Sequence, residues 1–263
     1  MDQRIPVEPW KLALIGLAAG MVGGAFGVGG GIVLVPLLVM VGLDRHRAHA
    51  TSLAAIVLIA VTGATSFGVS GEMDLGTGIA IGIGGIVGSV IGASVMHRAS
   101  PQSLTIIFSI ILLVAGIRLI SGANPVPGAG QLAVLWEVLI GLGVGVIAGF
   151  FAGLAGIGGG VVIVPASVLL LGLEQHSAQG TSLLAIFFTA MAGTLTNLRN
   201  KRVRSVDGLV AGAGGVVGSF IGSRLALGIE GRTLSLLFGF MVVFVAIRTL
   251  YTTLRPPARQ LTG

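Results

Sequence analysis

The 263-residue chain contains no cysteine, so it has no disulfide framework, thiolate metal site or cysteine nucleophile. Charge is nearly as scarce. Asp, Glu, Lys and Arg make up 9% of the residues, against about a quarter in ordinary soluble domains. A water-facing surface cannot be built from so few. Apolar residues fill the gap: 54% of positions are hydrophobic and 45 are glycine. That is the composition of a chain immersed in a bilayer. The net charge of +6 would point to nucleic acid in a soluble protein. Here the Lys and Arg residues sit in short loops between apolar runs, where they act as topology signals, and no nucleic-acid partner is expected. Arg4 and Lys11 precede an apolar run, as in a signal peptide, but that run continues from Leu12 to Leu43 with no polar mature region, so cleavage is not expected.

Crossing a hydrocarbon layer ~30 Å thick takes ~20 consecutive apolar residues in a helix. Runs of that kind fall at about 48–70, 76–96, 103–121, 178–198, 208–228 and 233–252. Two longer runs, 12–43 and 132–173, each hold a cluster of glycines. The alternating ~10-residue segments of a membrane barrel are absent. The expected class is therefore all-α, a polytopic integral membrane protein.

The two glycine clusters are copies of one pattern, FGVGGGIVLVP at 26–36 and AGIGGGVVIVP at 155–165. The likeness extends far beyond them. A shift of 129 carries Glu8 onto Glu137, Gly16, Gly20 and Gly24 onto Gly145, Gly149 and Gly153, and Pro36 onto Pro165. A shift of 130 then carries His46 onto His176, Thr51-Ser52-Leu53 onto Thr181-Ser182-Leu183, GGIVGSVIG at 84–92 onto GGVVGSFIG at 214–222, and Arg118 onto Arg248. The chain reads as a tandem duplication, with a first membrane repeat at 1–121, a Pro/Gly linker at 122–131 and a second membrane repeat at 132–263.

Charge sets the expected orientation. Loop 71–74 reads GEMD, whereas its counterpart begins KRVR inside RNKRVR. Equivalent loops of opposite charge belong on opposite sides of the membrane, which makes the repeats inverted. Each repeat must then cross an odd number of times, so each long run must break at its glycines into two short segments. With both termini cytoplasmic, Arg4, Lys11, Arg45, Arg47, Arg98, Arg199, Lys201, Arg202, Arg204, Arg248, Arg255 and Arg259 lie inside, and Arg118, Arg224 and Arg232 outside, a split of 12 to 3. A parallel pair gives 10 to 5 and places GEMD inside.

Within lipid, unwound backbone is tolerated only where protein buries it or a water-filled cavity borders it. The breaks at Gly27, Gly29, Gly30 and Gly31, and at Gly156, Gly158, Gly159 and Gly160, therefore lie at one or the other. Each is followed by a short apolar segment whose first-turn N–H groups point back to the glycines. Such groups, with the positive end of the helix dipole, bind an anion without side-chain charge. A plain tight turn is the competing account. Spaced glycines such as Gly141, Gly145, Gly149 and Gly153, or Gly88 and Gly92, read instead as small-residue helix contacts.

Thr51, Ser52, Thr181 and Ser182 open the helices that follow the broken segments, where their hydroxyls either donate to an oxyanion or cap the helix. Asn197, beside Thr196 and deep in its run, needs a polar partner, either substrate or a neighbouring helix. His46 and His176 fall in short connecting loops. Glu8 and Glu137 stand at matching entries, where coupling and snorkelling are the alternatives. Arg118 and Arg248 anchor the last helix of each repeat. The middle of the spans carries no Asp, Glu, Lys or Arg, so neither a metal site nor a cofactor is expected.

GVGGGIVLVP at 27–36 with ATSL at 50–53, and GIGGGVVIVP at 156–165 with GTSL at 180–183, in duplicated halves with glycine-rich entries, resemble the sulfite exporter TauE/SafE family, also called the 4-toluene sulfonate uptake permease family. The resemblance covers essentially the whole chain; Gly180 stands where the first half has Ala50. It implies a prokaryotic-type multi-pass protein of the cell membrane, the inner membrane in a bacterium. It also implies transport of small sulfur oxyanions or organosulfur anions such as sulfite, sulfoacetate and related sulfonates. The family is often drawn with four plus four spans.

The leading expectation is a secondary transporter working by alternating access, with the lipid bilayer and a small anion as partners and protons or another ion as the coupling partner. A passive anion channel is the alternative. A membrane-embedded enzyme fits less well: GVSG at 68–71 offers Ser70, but no His or carboxylate lies within a span to activate it. GVGGGI lacks the third glycine of a dinucleotide fingerprint and no P-loop occurs, so energy must come from gradients.

Overall fold

The computed structural model describes residues 7–95, 101–122, 133–155, 159–199 and 205–254. Ten helices and no strands are formed among the described residues: α1 (Pro9–Phe26), α2 (Gly31–Met40), α3 (Arg45–Val69), α4 (Leu75–Val95), α5 (Pro101–Ser121), α6 (Val134–Ala155), α7 (Gly160–Leu171), α8 (Gln175–Arg199), α9 (Ser205–Leu227) and α10 (Gly231–Leu254). Eight are long and apolar enough to cross a membrane, and α2 and α7 are the two short ones. The long runs at 12–43 and 132–173 do break at their glycines, and each gives one long helix and one short one. The linker 122–131 lies, apart from Gly122, outside the described residues, as do Arg4, Arg98, Lys201, Arg202, Arg204, Arg255 and Arg259.

Local chemistry sets the helix ends. Pro9 occupies the first turn of α1, where a missing N–H costs nothing. Asp44 caps α3, its carboxylate accepting the Arg47 N–H at 3.0 Å. Asp74 caps α4 by accepting from the Thr77 N–H at 3.0 Å and the Thr77 hydroxyl at 2.9 Å. The guanidinium of Arg232 donates to the carbonyls of Leu119 and Ile120 at 2.9 and 2.8 Å, satisfying the end of α5. At the outset of α1, Glu8 pairs with Lys11 at 2.7 Å. Lys11 holds the Glu8 carboxyl below the usual carboxylate range.

Glycine stripes decide the packing. Gly16, Gly20 and Gly24 of α1 lie against Ala211, Gly215 and Ser219 of α9; the numbers rise together, so the helices are parallel. In the same way Gly145 and Gly149 of α6 lie against the carbonyls of Ile81 and Gly85 of α4, and Gly88 and Gly92 of α4 against Val146 and Phe150. A β-carbon at any of these positions would run into the neighbouring backbone. Close backbone approach is what small residues provide between membrane helices, where no hydrophobic force drives association. The Ser219 hydroxyl adds a buried bond to the Ile59 carbonyl at 2.9 Å, joining α9 to α3.

The duplication pairs α1 with α6, α3 with α8, α4 with α9 and α5 with α10. Equivalent helices in contact run antiparallel: Gly63 of α3 lies on Leu183 of α8 and Gly193 on Leu53, while Gly116 of α5 lies on Val243 of α10 and Gly122 on Arg232. Since Gly208 and Gly212 of α9 meet Ala54 and Leu58, α3 and α1 both run parallel to α9. The short α2 must therefore bring the chain back between them. Two interlocked bundles result, α1, α3 and α9 in one and α6, α8 and α4 in the other, and their buried residues form a shared core. Apolar side chains such as Val114, Phe240 and Phe244 are exposed on the outside. A multi-pass membrane protein turns that surface to lipid.

Candidate functional site

At the first break the chain leaves α1 through Gly27 (φ 70°) and passes Gly29 (φ 71°) and Gly30 (φ 79°) before α2 begins at Gly31. All of 27–31 is buried. Left-handed backbone at three of four successive residues explains the glycines, because any other side chain pays a steric penalty there. Space is a second reason. A β-carbon on Gly30 would lie 2.5 Å from the Ala19 carbonyl oxygen, and one on Gly29 would lie 2.9 Å from Ile186 and 3.2 Å from Ile56. Ile56 and Ile186 are equivalent positions under the 130-residue shift, so the turn sits where the repeats cross.

The two breaks meet. A β-carbon on Gly160, the first residue of α7, would lie 2.6 Å from the Cα of Val28 and 2.8 Å from the carbonyl oxygen of Gly27. Gly159 caps α7 with φ −69° and ψ −13°, an ordinary right-handed conformation. Gly156 and Gly158 lie outside the described residues. In α2 the Gly30 carbonyl takes both the Val33 and the Leu34 N–H, at 3.0 and 2.9 Å. No hydrogen bond engages the N–H of Gly29, Gly30, Gly31 or Ile32 among the described residues. These donors sit at the positive end of α2, and the nearest described neighbours of Gly27, Gly29 and Gly30, namely Gln179, Ile186, Ile56 and Ala19, are uncharged.

The hydroxyl residues are placed differently from the expectation. Thr51 and Ser52 lie in the second turn of α3, which starts at Arg45, and Thr181 and Ser182 in the second turn of α8, which starts at Gln175. They cap nothing; Asp44 does that for α3. The apolar runs begin later than the helices because the first turns, RHRAHA and QHSAQG, are polar. Ser182 donates to the carbonyl of Gly27 at 2.7 Å in a buried bond, fastening α8 to the first break. Thr181 accepts the Asp74 N–H at 2.9 Å, and Ser177 donates to the Glu72 carboxylate at 2.7 Å, so loop 71–74 is tied to the start of α8. Ser52 is buried at 1% exposure and its hydroxyl has no partner among the described residues. Thr51 is buried as well.

Asn197 is not at the site. It lies near the end of α8, three turns beyond Ile186, and donates to the Gly193 carbonyl of its own helix at 2.9 Å. His46 and His176 lie in the first turns of α3 and α8, not in loops. His176 Nε2 sits 3.1 Å from the carbonyls of Ala226 and Ile229, where it donates and ties α8 to the end of α9. Glu137 stands in the first turn of α6. The Ser70 hydroxyl donates to the Ser66 carbonyl at 3.1 Å and closes the end of α3.

Two side chains escaped the sequence reading, Gln179 at the first break and Gln175 on the same helix. Gln179 is fully buried with its Cα and Cβ against Gly27, and Gln175 stands one turn earlier at 6% exposure. Among the described residues neither amide has a partner at its oxygen or its nitrogen. The signal was present: Gln175, Gln179, Ser182 and Ile186 recur at helical spacing along one stripe of α8. No group of three or more His, Asp or Glu that could hold a metal occurs among the described residues.

A family model described as sulfite exporter TauE/SafE matches residues 2–119 and 141–262. The chain is 26% identical to a "Probable membrane transporter protein YunE" of Bacillus subtilis (strain 168), over 91% of this chain and 96% of the relative. It is 30% identical to a "Probable membrane transporter protein" of Xylella fastidiosa (strain 9a5c), over 90% and 92%. A shorter match, 28% identical over 39% of this chain and 23% of the relative, is to "Sulfite exporter TauE/SafE family protein 2" of Arabidopsis thaliana.

Proposed function

The chain belongs to the sulfite exporter TauE/SafE family of membrane transporters, and on that premise we propose that it carries a small sulfur-containing or organic anion, such as sulfite or a sulfonate, across the cell membrane by alternating access. The observation that carries this reading is the meeting of the two breaks, Gly160 on Val28 and Gly27, beside backbone N–H groups that have no hydrogen bond among the described residues. Donors in a low-dielectric setting, with uncharged side chains as their nearest described neighbours, suit an anion that must also be released.

The antiparallel registers of α3 with α8 and of α5 with α10 support repeats 1–121 and 132–263 that are inverted in the membrane with both termini cytoplasmic. The moving bodies are then not the sequence halves. Glycine contacts lock α1 to α9 and α6 to α4, so rocking takes place between α1–α2–α3–α9 and α6–α7–α8–α4, across the α3–α8 contact. Protons or another ion supply the driving force, and the chain performs no catalysis of its own.

Uptake of labelled sulfite, with sulfoacetate in parallel, into proteoliposomes with and without a pH gradient tests the reading. Saturable, gradient-sensitive flux is expected. Flux that follows the anion gradient alone and ignores the pH gradient would favour a channel, and no flux of either anion would remove the substrate class. Reporters fused after Gly71 and after Lys201 are expected on opposite faces of the membrane; the same face for both would contradict inversion.

A further inference from the structure

We propose that Gln179 is the specificity-determining side chain of the anion site at the first break, with Gln175 as the next polar group along its route of entry. The inference rests on the transport reading and names its ligand more narrowly: a small monoanion that carries one O–H or N–H donor as well as acceptor oxygens.

Burying an amide without partners is costly, about 1–3 kcal/mol for each unsatisfied group, and a native chain retains such groups where something other than the protein completes them. Gln179 is fully enclosed and Gln175 nearly so, and in both the carbonyl oxygen and the amide nitrogen are unpaired among the described residues. The four unsatisfied polar atoms belong to one stripe of α8, one turn apart, and Gln179 packs on Gly27. The turn that follows Gly27 has N–H groups without a hydrogen bond among the described residues. Ser182, on the same stripe, is spent on the Gly27 carbonyl and holds α8 against the turn. The helix N-terminus and the enclosed amide are independent features that converge on the same few residues.

Their chemistry differs, and the difference selects the ligand. The N–H groups of residues 29–32 offer donors only. An amide offers donors at its nitrogen and an acceptor at its oxygen. A fully deprotonated oxyanion would use the donors and leave the amide oxygen unmet. A singly protonated oxyanion, or a sulfonate bearing a hydroxyl or amino group, satisfies both edges. Uncharged nearest neighbours of the turn among the described residues favour the same monoanion over a dianion, whose desolvation costs more. The equivalent positions on α3 are His49 for Gln179 and Arg45 for Gln175, so the amide pair belongs to one repeat alone.

The probes are 2-hydroxyethanesulfonate and ethanesulfonate, which differ by one hydroxyl. Their binding to the purified full-length protein in detergent is measured by titration, for wild type, Gln179→Leu and Gln175→Leu. Wild type is expected to bind the hydroxysulfonate roughly tenfold or more tightly than ethanesulfonate, since a site built to bond a hydroxyl rejects the analogue lacking it. Gln179→Leu should abolish that preference while unfolding no earlier than wild type, because it removes an unpaired buried amide. Gln175→Leu should weaken both ligands equally. Equal binding of the two probes by wild type, binding of neither, or an unchanged preference in Gln179→Leu would each overturn the assignment. Failure of the transport reading shows separately, as absence of labelled sulfite flux in wild-type proteoliposomes.

Discussion

The two glycine breaks share five glycine-and-proline positions in the pattern GxGGGxxxxP and differ in backbone. The first turns through three residues of positive φ before α2, and Gly30 itself caps that helix at φ 79°. The second enters α7 through Gly159 at φ −69°, a conformation open to any residue. Their short helices differ too: from Gly160 to Pro165 every residue of α7 is buried, whereas α2 buries only Gly31, Leu34 and Leu38. The same glycine-and-proline pattern in two environments gives two different entries to the short helix.

The largest expected effect is at Gly30. Alanine there must adopt a left-handed conformation that costs roughly 1–2 kcal/mol and place its methyl 2.5 Å from the Ala19 carbonyl oxygen. Gly30→Ala should lose transport and lower unfolding free energy in detergent by about 3 kcal/mol, the sum of strain and overpacking. Gly160→Ala comes next. Its methyl meets the Val28 Cα and the Gly27 oxygen, both backbone, so the breaks must move apart. A loss of about 1–3 kcal/mol, with helical content retained by circular dichroism and uptake abolished, is the expected result. Uptake at the wild-type rate in Gly160→Ala would show that contact between the breaks is dispensable.

Ser182 and Ser52 sharpen the comparison on a smaller scale. They are equivalent by sequence, yet among the described residues only Ser182 has a partner, the Gly27 carbonyl at 2.7 Å. Ser182→Ala should cost about 1–2 kcal/mol by leaving that carbonyl unpaired. Ser52→Ala should leave stability within about 0.5 kcal/mol of wild type, as for a substitution that removes no bond. Equal losses in a thermal-unfolding assay would mean that the two breaks are held alike.

Much of the architecture was legible because it is written in pattern. Apolar length located the six uninterrupted spans to within a few residues, the duplication gave the pairing of helices, and the glycine clusters gave the two interruptions. Small-residue spacing in Gly145, Gly149, Gly88 and Gly92 pointed correctly to helix contacts, although not to the exchange that sets α1 on α9 and α6 on α4. That exchange depends on the fit between surfaces far apart in the chain. The site was less legible. Hydroxyls were easy to notice and were assigned to helix starts, since the polar first turns of α3 and α8 do not look like membrane helix. The glutamines were passed over because only burial makes an amide significant, and burial is a property of the assembled bundle. Asn197 shows the converse: its residue type drew notice, yet it bonds within its own helix.

The smallest expected effect tests the asymmetry most directly. Gly159 has right-handed backbone, and a β-carbon there would find only ordinary contacts, 3.4 Å from Ala148 and from Ile163. In this conformation Gly159→Ala should be neutral or stabilising by up to about 1 kcal/mol, as alanine restricts the unfolded chain more than glycine does. Unchanged or raised unfolding temperature with uptake retained is expected, against the loss at Gly30, and would mean that Gly159 keeps this backbone throughout the cycle. Uptake lost with the fold intact would mean the reverse. If the repeats exchange local conformations when the protein switches sides, Gly159 would have to visit the left-handed region that Gly30 occupies here. The methyl would spare this end state and penalise the other by the same roughly 1–2 kcal/mol per residue, shifting the population some tenfold toward the state described, since each 1.4 kcal/mol is a factor of ten.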